Sequence, residues 1–338
     1  MRIKTGKRYR AVMLGGLAVI AAISLCAILI GQYTITLSDF WAIIKSKITA
    51  TASPLETASF VVFNVRIPRV ILTAMVGAGL SMSGSALQGV FQNPLVSPDL
   101  LGVCSGAGFG AALGILLFGG AGIFTPVLSL TFGLFSVLLV FFFAGRRNNT
   151  ETLSVVLGGI VVSSIFAALI ALIKYTADSS ETLPAITFWQ MGSFANRTYD
   201  HIQIAAMPVI GGMFGLYLFR WKINLLSLGD EDCHTLGVDP VKTRWIIILF
   251  ATITTAGCVT VSGVIGWIGL VIPHICRKLV GVNHGELLPA SGLIGAIFLI
   301  LVDTLARNLT AAEVPIGILT ALIGAPFFAA IYRRRRRL

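Results

Sequence analysis

The stretch TLSVVLGGIVVSSIFAALIALI, residues 152–173, contains no ionisable side chain and is apolar over nearly its whole length. As an α-helix it measures about 33 Å, which matches a hydrocarbon layer about 30 Å thick. A water-soluble chain carries about 25% charged residues, whereas this chain of 338 residues carries 12% and is 56% hydrophobic. The segment therefore predicts a membrane-spanning helix, and the composition predicts that it is one of several.

Apolar runs of similar length recur along the chain, and we predict ten spans. The eighth is the least regular, because a proline, a histidine and two cations interrupt it. Residues 184–196 are too short to cross, which predicts a re-entrant or interfacial piece. The predicted fold is an all-α, polytopic membrane protein with a single domain over residues 1–338. The ten spans are 11–31, 68–88, 99–118, 122–144, 152–173, 201–219, 245–264, 265–280, 287–306 and 314–332.

The net charge of +11 is concentrated at the chain ends, since residues 1–10 and 333–338 hold ten of the 25 basic residues. An even number of spans places both ends on one side. If that side is the cytosol, basic residues of several loops lie on the same side as the two chain ends, and the positive-inside rule is obeyed. We therefore interpret both ends as basic cytosolic tails that contact lipid headgroups, and we predict no nucleic-acid partner.

The sequence offers no enzymatic chemistry. A nucleotide-binding loop needs Gly-x-x-x-x-Gly-Lys-Ser/Thr, and the one Gly-Lys pair, Gly6-Lys7, lacks the upstream glycine. The five cysteines and four histidines show neither metal-ligand nor redox spacing. We predict no catalytic residue, no metal and no cofactor bound by this chain.

A polar segment, LGDEDCHTLGV at 228–238, separates the sixth and seventh spans. Ser227 followed by Asp230 predicts a capping box, and three acids in the first turn suit the helix dipole. Gly237 predicts a left-handed stop. The segment is therefore predicted to form a short helix on the water side.

The same helix is predicted to present a small apolar face, because Cys233 and Leu236 are three residues apart. A short helix with such a face, within an aqueous loop at 225–244, is suited to contact a partner.

Three arginines lie on the opposite side, where the positive-inside rule disfavours them: Arg66, Arg69 and Arg307. One interpretation is headgroup snorkelling or local ion pairs. The other is an outer docking surface for an acidic protein, since arginine pairs carboxylates through two hydrogen bonds.

Ion-coupled transport usually requires ionisable residues in mid-span. Asp303 lies four residues before Arg307 and is predicted to pair with it, and His274 follows a proline and is interpreted as a local cap. An ion-coupled secondary transporter therefore remains a weaker alternative, as does a membrane scaffold that transports nothing.

Small residues recur with helical spacing. Glycines stand at every fourth position over 102–114, which permits close helix packing, or alternatively lines a substrate path. Ala-Gly and Ser-Gly pairs at 78–84 recur at 256–263, five spans later, as in inverted repeats of transporters.

Ordered motifs cover nearly the whole chain after about residue 60. They are RIPR (66–69), GAGL (77–80), NPLVSPDLLG (93–102), LGDE (228–231), LGV (236–238), GWIGLVIPHI (266–275), EVPIG (313–317) and GAPFF (324–328). In this order they resemble the FecCD-type permeases, the membrane subunits of ABC importers for ferric siderophores, haem and vitamin B12.

The resemblance implies a type II ABC importer permease in a bacterial cytoplasmic membrane, paired as a homodimer or heterodimer. Two separate ATPase subunits, which hold ATP and Mg, would bind inside, and an extracytoplasmic substrate-binding protein would dock outside. The implied cargo is an iron chelate, with a ferric siderophore favoured and haem or vitamin B12 as alternatives.

The resemblance also implies residue roles. It assigns binding-protein docking to Arg66, Arg69 and Arg307. Cys233 stands where the family commonly has alanine. The implied ATPase-coupling helix comprises Leu228, Gly229, Asp230, Glu231, Cys233, Leu236 and Gly237, and the implied inner gate comprises Asn149, Thr150 and Thr152.

Overall fold

The computed structural model describes residues 2–49, 55–120, 122–144, 152–310 and 312–335, and every regular element in those ranges is helical. The predicted all-α fold is thus confirmed. The helices are α1 (Arg2–Leu29), α2 (Leu37–Ile48), α3 (Glu56–Phe60), a π-helical turn (Val61–Arg66), α4 (Ile67–Val90), a 3-10 turn (Pro98–Leu101), α5 (Val103–Phe118), α6 (Phe124–Ala144), α7 (Thr152–Thr176), α8 (Thr182–Gln190), α9 (Tyr199–Leu218), α10 (Arg220–Leu226), α11 (Asp230–Thr235), α12 (Pro240–Ser262), α13 (Ile268–Val280), α14 (His284–Leu309) and α15 (Ile316–Arg335).

Each predicted span corresponds to one α-helix, although the third, 99–118, begins in the 3-10 turn before α5. Among the described residues, seven helical segments are long and apolar enough to cross a membrane, and the apolar parts of α5 and α15 are shorter. The eighth predicted span is α13, whose 13 residues measure about 20 Å. The chain is therefore a multi-pass membrane protein, and the count of ten spans stays a prediction.

Helix α13 begins later than predicted because Trp267 adopts a left-handed backbone with φ 72°. The helix therefore starts at Ile268, and Pro273 lies inside it. His274 consequently sits within the helix rather than at its end, so the interpretation of His274 as a local cap is wrong.

Helices α4 and α12 form the centre of the bundle. In the apolar stretch of α4, 78% of the residues are buried, against 6% in α1. Helix α4 packs against α9, α12, α13 and α14. Since α1 buries so little apolar surface, its sides are left for lipid.

Close packing explains the small residues. A Cβ added at Gly77 would collide with the carbonyl group of Gly295 on α14, and one at Gly84 with the backbone of Gly269 on α13. In α5, a Cβ at Gly110 would strike the carbonyl group of Leu128 on α6. The packing interpretation is confirmed at these positions.

Two peripheral segments differ from, or refine, the sequence prediction. The predicted basic tail at 1–10 is helical from Arg2 onward, because no proline separates it from the rest of α1. The predicted interfacial piece, 184–196, overlaps most of α8, and the chain after α8 is tied to the start of α15. There the amides of Ile316 and Gly317 donate to the carbonyl oxygens of Gly192 (2.9 Å) and Met191 (3.0 Å).

Candidate functional site

The polar segment at 228–238 forms the short helix α11, but its N-terminus differs from the prediction. The N-cap is Gly229, with φ 119° and no side-chain cap. The Ser227 hydroxyl instead donates to the carbonyl of Ile223 at 3.0 Å, one turn back in α10. The predicted capping box is therefore wrong, because Ser227 lies at the end of the preceding helix.

The C-terminus of α11 agrees with the prediction. Gly237 has φ 74°, a conformation that favours glycine. Its amide donates to the carbonyl of His234 at 3.0 Å, and the amide of Val238 donates to that of Cys233 at 2.9 Å. These two bonds form a Schellman motif, which ends the helix and redirects the chain into α12.

The two apolar positions of α11 do not share a face. Cys233 is fully buried and belongs to the main core cluster with Leu226 and Ile247, whereas Leu236 is 58% exposed. Burial raises the pKa of the Cys233 thiol, and the nearby carboxylate of Asp230 raises it further. The expected shared apolar face is therefore wrong, and the thiol anchors the helix instead.

An ion pair that the sequence did not indicate fastens α11 to α12. The Nη2 atom of Arg244 lies 2.9 Å from Oδ1 of Asp230; the arginine is buried and the carboxylate is half-exposed. The carboxylate of Asp239 caps α12 by accepting the amide of Lys242 at 3.0 Å. The carboxylate of Asp230 therefore already has an ion-pair partner within the chain, Arg244.

The outward surface of α11 combines negative charge and apolar area. Glu231, Asp232 and His234 are exposed. Leu228, just before the helix, is 60% exposed and flanks these charges together with Leu236. A short helix held on one side by a buried cysteine and an ion pair can transmit force from a partner to α12.

The three arginines at the other end are buried, with 4% to 6% of their surface exposed. Arg69 on α4 is held by two carboxylates: Nη2 lies 2.8 Å from Oδ1 of Asp303, and Nη1 lies 2.7 Å from Oε1 of Glu313. Asp303 therefore pairs with Arg69, and its predicted pairing with Arg307 is wrong. Of the two interpretations of these arginines, local ion pairing is the one that the contacts of Arg69 show.

The other two arginines bind backbone carbonyl groups at the end of α1. Arg66 donates to Leu29 at 2.9 Å and also to Tyr33, and Arg307 donates to Ala27. These bonds join the end of α1 and the chain just after it to the start of α4 and to the end of α14. In this structure the three arginines do not form an exposed surface, and the docking role stays a prediction.

The predicted inner gate cannot be placed in full. Asn149 and Thr150 lie outside the described residues. Thr152 is the first residue of α7, and its side chain is not described.

The comparison with known families decides the class of this chain. Residues 18–334 match the family model described as the FecCD transport family. The chain belongs to the FecCD transport family. It is therefore an ABC importer permease, as the motifs predicted.

Relatives of this FecCD permease cover most of its length. It is 40% identical to the molybdate import system permease protein MolB of Haemophilus influenzae over 97% of each chain. It is also 40% identical to a Helicobacter pylori permease named for iron chelatin transport, over 83% of this chain and 85% of the relative. A solved inward-facing structure assigned to the metal-chelate type of ABC transporter aligns with a TM-score of 0.86 at 37% identity, covering 96% of this chain and 99% of the other.

Proposed function

We propose that this chain is the permease subunit of a binding-protein-dependent importer, driven by ATP hydrolysis on two separate ATPase subunits. One observation carries the proposal: α11 presents exposed Glu231, Asp232 and Leu236 while Cys233 and the Asp230–Arg244 pair hold it to the bundle. A helix that is exposed on one face and fixed on the other is suited to coupling.

The route of force follows from the connectivity. Helix α11 ends at Thr235 and α12 begins at Pro240, so the Schellman turn and the cap at Asp239 make a short link. Helix α12 packs against α4 and α9 in the centre of the bundle. Movement of the ATPases against α11 would therefore shift central helices and switch the path between its outward and inward openings.

The proposed assembly contains a second permease copy or a homologous permease, and a substrate-binding protein on the outer side. The proposed location is a bacterial cytoplasmic membrane, with both termini in the cytosol. Support comes from the family membership and from the concentration of basic residues at 1–10 and 333–338.

For the cargo, we favour an iron chelate such as a ferric siderophore. The sequence motifs and the relative named for iron chelatin support it. Molybdate is the second candidate, because the relative named for molybdate import is 40% identical over 97% of this chain. Haem and vitamin B12, which the family resemblance also implies, are further alternatives.

Reconstitution tests the proposal. The permease, its ATPase and its binding protein are placed in proteoliposomes, and uptake of radiolabelled ferric chelates and molybdate is measured. We expect uptake that requires ATP and the binding protein and that persists with an uncoupler. Collapse with an uncoupler at constant ATP would indicate an ion-coupled transporter, and a partner ATPase that is never stimulated would indicate a scaffold.

A further inference from the structure

A polar cavity of about 410 Å³ lies at the end of the bundle opposite α11. Helix α9 runs from Tyr199 at the cavity to Leu218 beside α10, which places the two sites at opposite ends. The cavity is bounded by the α5–α6 loop, α8 and the start of α9. Its polar lining consists of Thr125, Ser193, Asn196, Arg197, His201 and Thr260.

Arg197 is a cation without a carboxylate partner among the described residues. Its Nη1 atom lies 3.1 Å from Nε2 of His201, and its Nε atom is inaccessible to solvent and makes no hydrogen bond to any residue that the structure describes. Burial lowers the pKa of Arg197 to about 10, and no carboxylate counteracts this. The side chain stays charged at neutral pH, and a partly exposed cation without a carboxylate partner among the described residues is suited to bind an anion.

Two further features of the lining favour a negative ligand. Thr125 is 6% exposed, and its hydroxyl has no hydrogen-bond partner among the described residues. Before it, Gly119, Gly120 and Gly122 have φ between 65° and 77°, and this loop leads into the N-terminus of α6. The positive end of the α6 helix dipole lies at this N-terminus and favours an anion.

The described part of the cavity lining carries no negative charge. None of its described lining residues is an aspartate or a glutamate. The nearest carboxylates along the chain, Glu181 and Asp200, are exposed and lie outside the lining. Arg197 is therefore the formal charge among the described lining residues, while Asp200, outside the lining, acts on the neighbouring His201.

We propose that this cavity binds an oxyanion group of the cargo, with Arg197 as the cation that holds it. The group is either a free metal oxyanion such as molybdate or a carboxylate arm of a larger chelate. The volume suits a small anion, because it lies near the lower end of the range of about 300–1,000 Å³ for small-molecule sites. This inference rests on the proposed import function and narrows its substrate to an anionic class.

Direct binding tests the inference in the complete permease–ATPase complex, held in lipid nanodiscs without ATP. Molybdate and citrate are the probes, measured by calorimetry and equilibrium dialysis. We expect saturable binding of at least one probe, and an affinity at least about tenfold lower in Arg197→Gln, since 1.4 kcal/mol corresponds to a factor of ten. Arg220→Gln is the matched control, because Arg220 is also partly exposed but lies at the other end of α9.

The two probes distinguish the sources of the oxyanion. Binding of molybdate alone supports a free oxyanion, and binding of citrate alone supports a carboxylate arm. If Arg197→Gln does not fold, Arg197→Lys takes its place, because an ammonium replaces the two-pronged guanidinium and should weaken binding. Absence of saturable binding of both probes to the wild type, or equal affinity in the folded variants, overturns the site.

Uptake separates this inference from the proposed function. If the wild type shows ATP-dependent uptake and Arg197→Gln transports equally well, the importer stands and the oxyanion site is refuted as a cargo site. If the wild type shows no ATP-dependent uptake but binds an anion through Arg197, the import proposal fails while the binding site stands.

Discussion

Arg69 on α4 and Asp303 on α14 form a buried ion pair with 2.8 Å between Nη2 and Oδ1. The two residues are 234 positions apart in the chain. Both are nearly inaccessible, and Glu313 supplies a second carboxylate to the same guanidinium. The pair therefore fixes one end of α4 against the adjacent end of α14.

We expect Arg69→Met to destabilise the fold, because it leaves Asp303 buried without its counter-ion. Removing one partner of a buried pair costs about 3–5 kcal/mol, whereas replacing both by apolar residues costs far less. The double variant Arg69→Met with Asp303→Leu should therefore be more stable than Arg69→Met alone. The measurement is unfolding by SDS titration, with Arg220→Met as control; equal stability of the two variants would contradict the interpretation.

We expect substitution of Arg66 to affect the fold before it affects docking. Its guanidinium binds carbonyl groups at the end of α1, so Arg66→Glu removes these bonds and should lower the free energy of unfolding.

The milder Arg66→Gln tests the docking prediction in folded protein. If docking uses Arg66, binding-protein affinity falls in this variant and falls with rising salt. The exposed Lys45→Gln is the control, and affinity independent of both salt and Arg66→Gln would refute the docking role.

We expect Glu231→Arg to impair ATPase coupling while the protein still inserts and folds. Glu231 is exposed on α11 and makes no ion pair among the described residues, so reversal of its charge mainly affects a partner surface. Loss of about 1.4 kcal/mol at that surface lowers affinity about tenfold. Co-purification with the ATPase and ATP-driven uptake are measured, with the exposed Glu56→Arg as control. Normal co-purification and uptake would refute the coupling assignment.

We expect Asp230→Asn to loosen α11 without unfolding the bundle. Its carboxylate is half-exposed, so the pair with Arg244 is discounted to about 0.5–1 kcal/mol. Hydrogen exchange of the amides in Asp230–Thr235 should accelerate about twofold to fivefold. The exposed Asp232→Asn is the matched control. Equal exchange in the two variants would show that the ion pair does not hold α11.

We expect the thiol of Cys233 to react slowly with maleimide, because it is buried and its pKa is raised. A raised pKa means less thiolate at neutral pH. The pH at which the reaction rate rises should therefore be higher than for a free thiol. The comparison uses chains in which the other four cysteines are alanine. Leu236→Cys, combined with Cys233→Ala, should react at least about tenfold faster. Equal rates would contradict the orientation of α11.

The sequence predicted the positions of the helices well because hydropathy and helix stops act locally. The apolar runs became helices, and the glycine at 237 ended α11 as expected. The predicted capping box failed for an equally local reason, since the hydroxyl of Ser227 bonds within α10. The orientation of Cys233 was not readable, because it depends on the core cluster that closes over it.

The sequence by itself determined that this protein is a helical, multi-pass permease of the FecCD family, because apolar length and ordered motifs are properties of the chain alone. Only the tertiary structure decided that Asp303 pairs with Arg69 and not with its near neighbour Arg307. Only it placed Arg197 in the wall of a cavity whose described lining residues include no carboxylate. The physical reason is that the partner of a charge is set by which distant helices pack together, and sequence spacing does not contain that information.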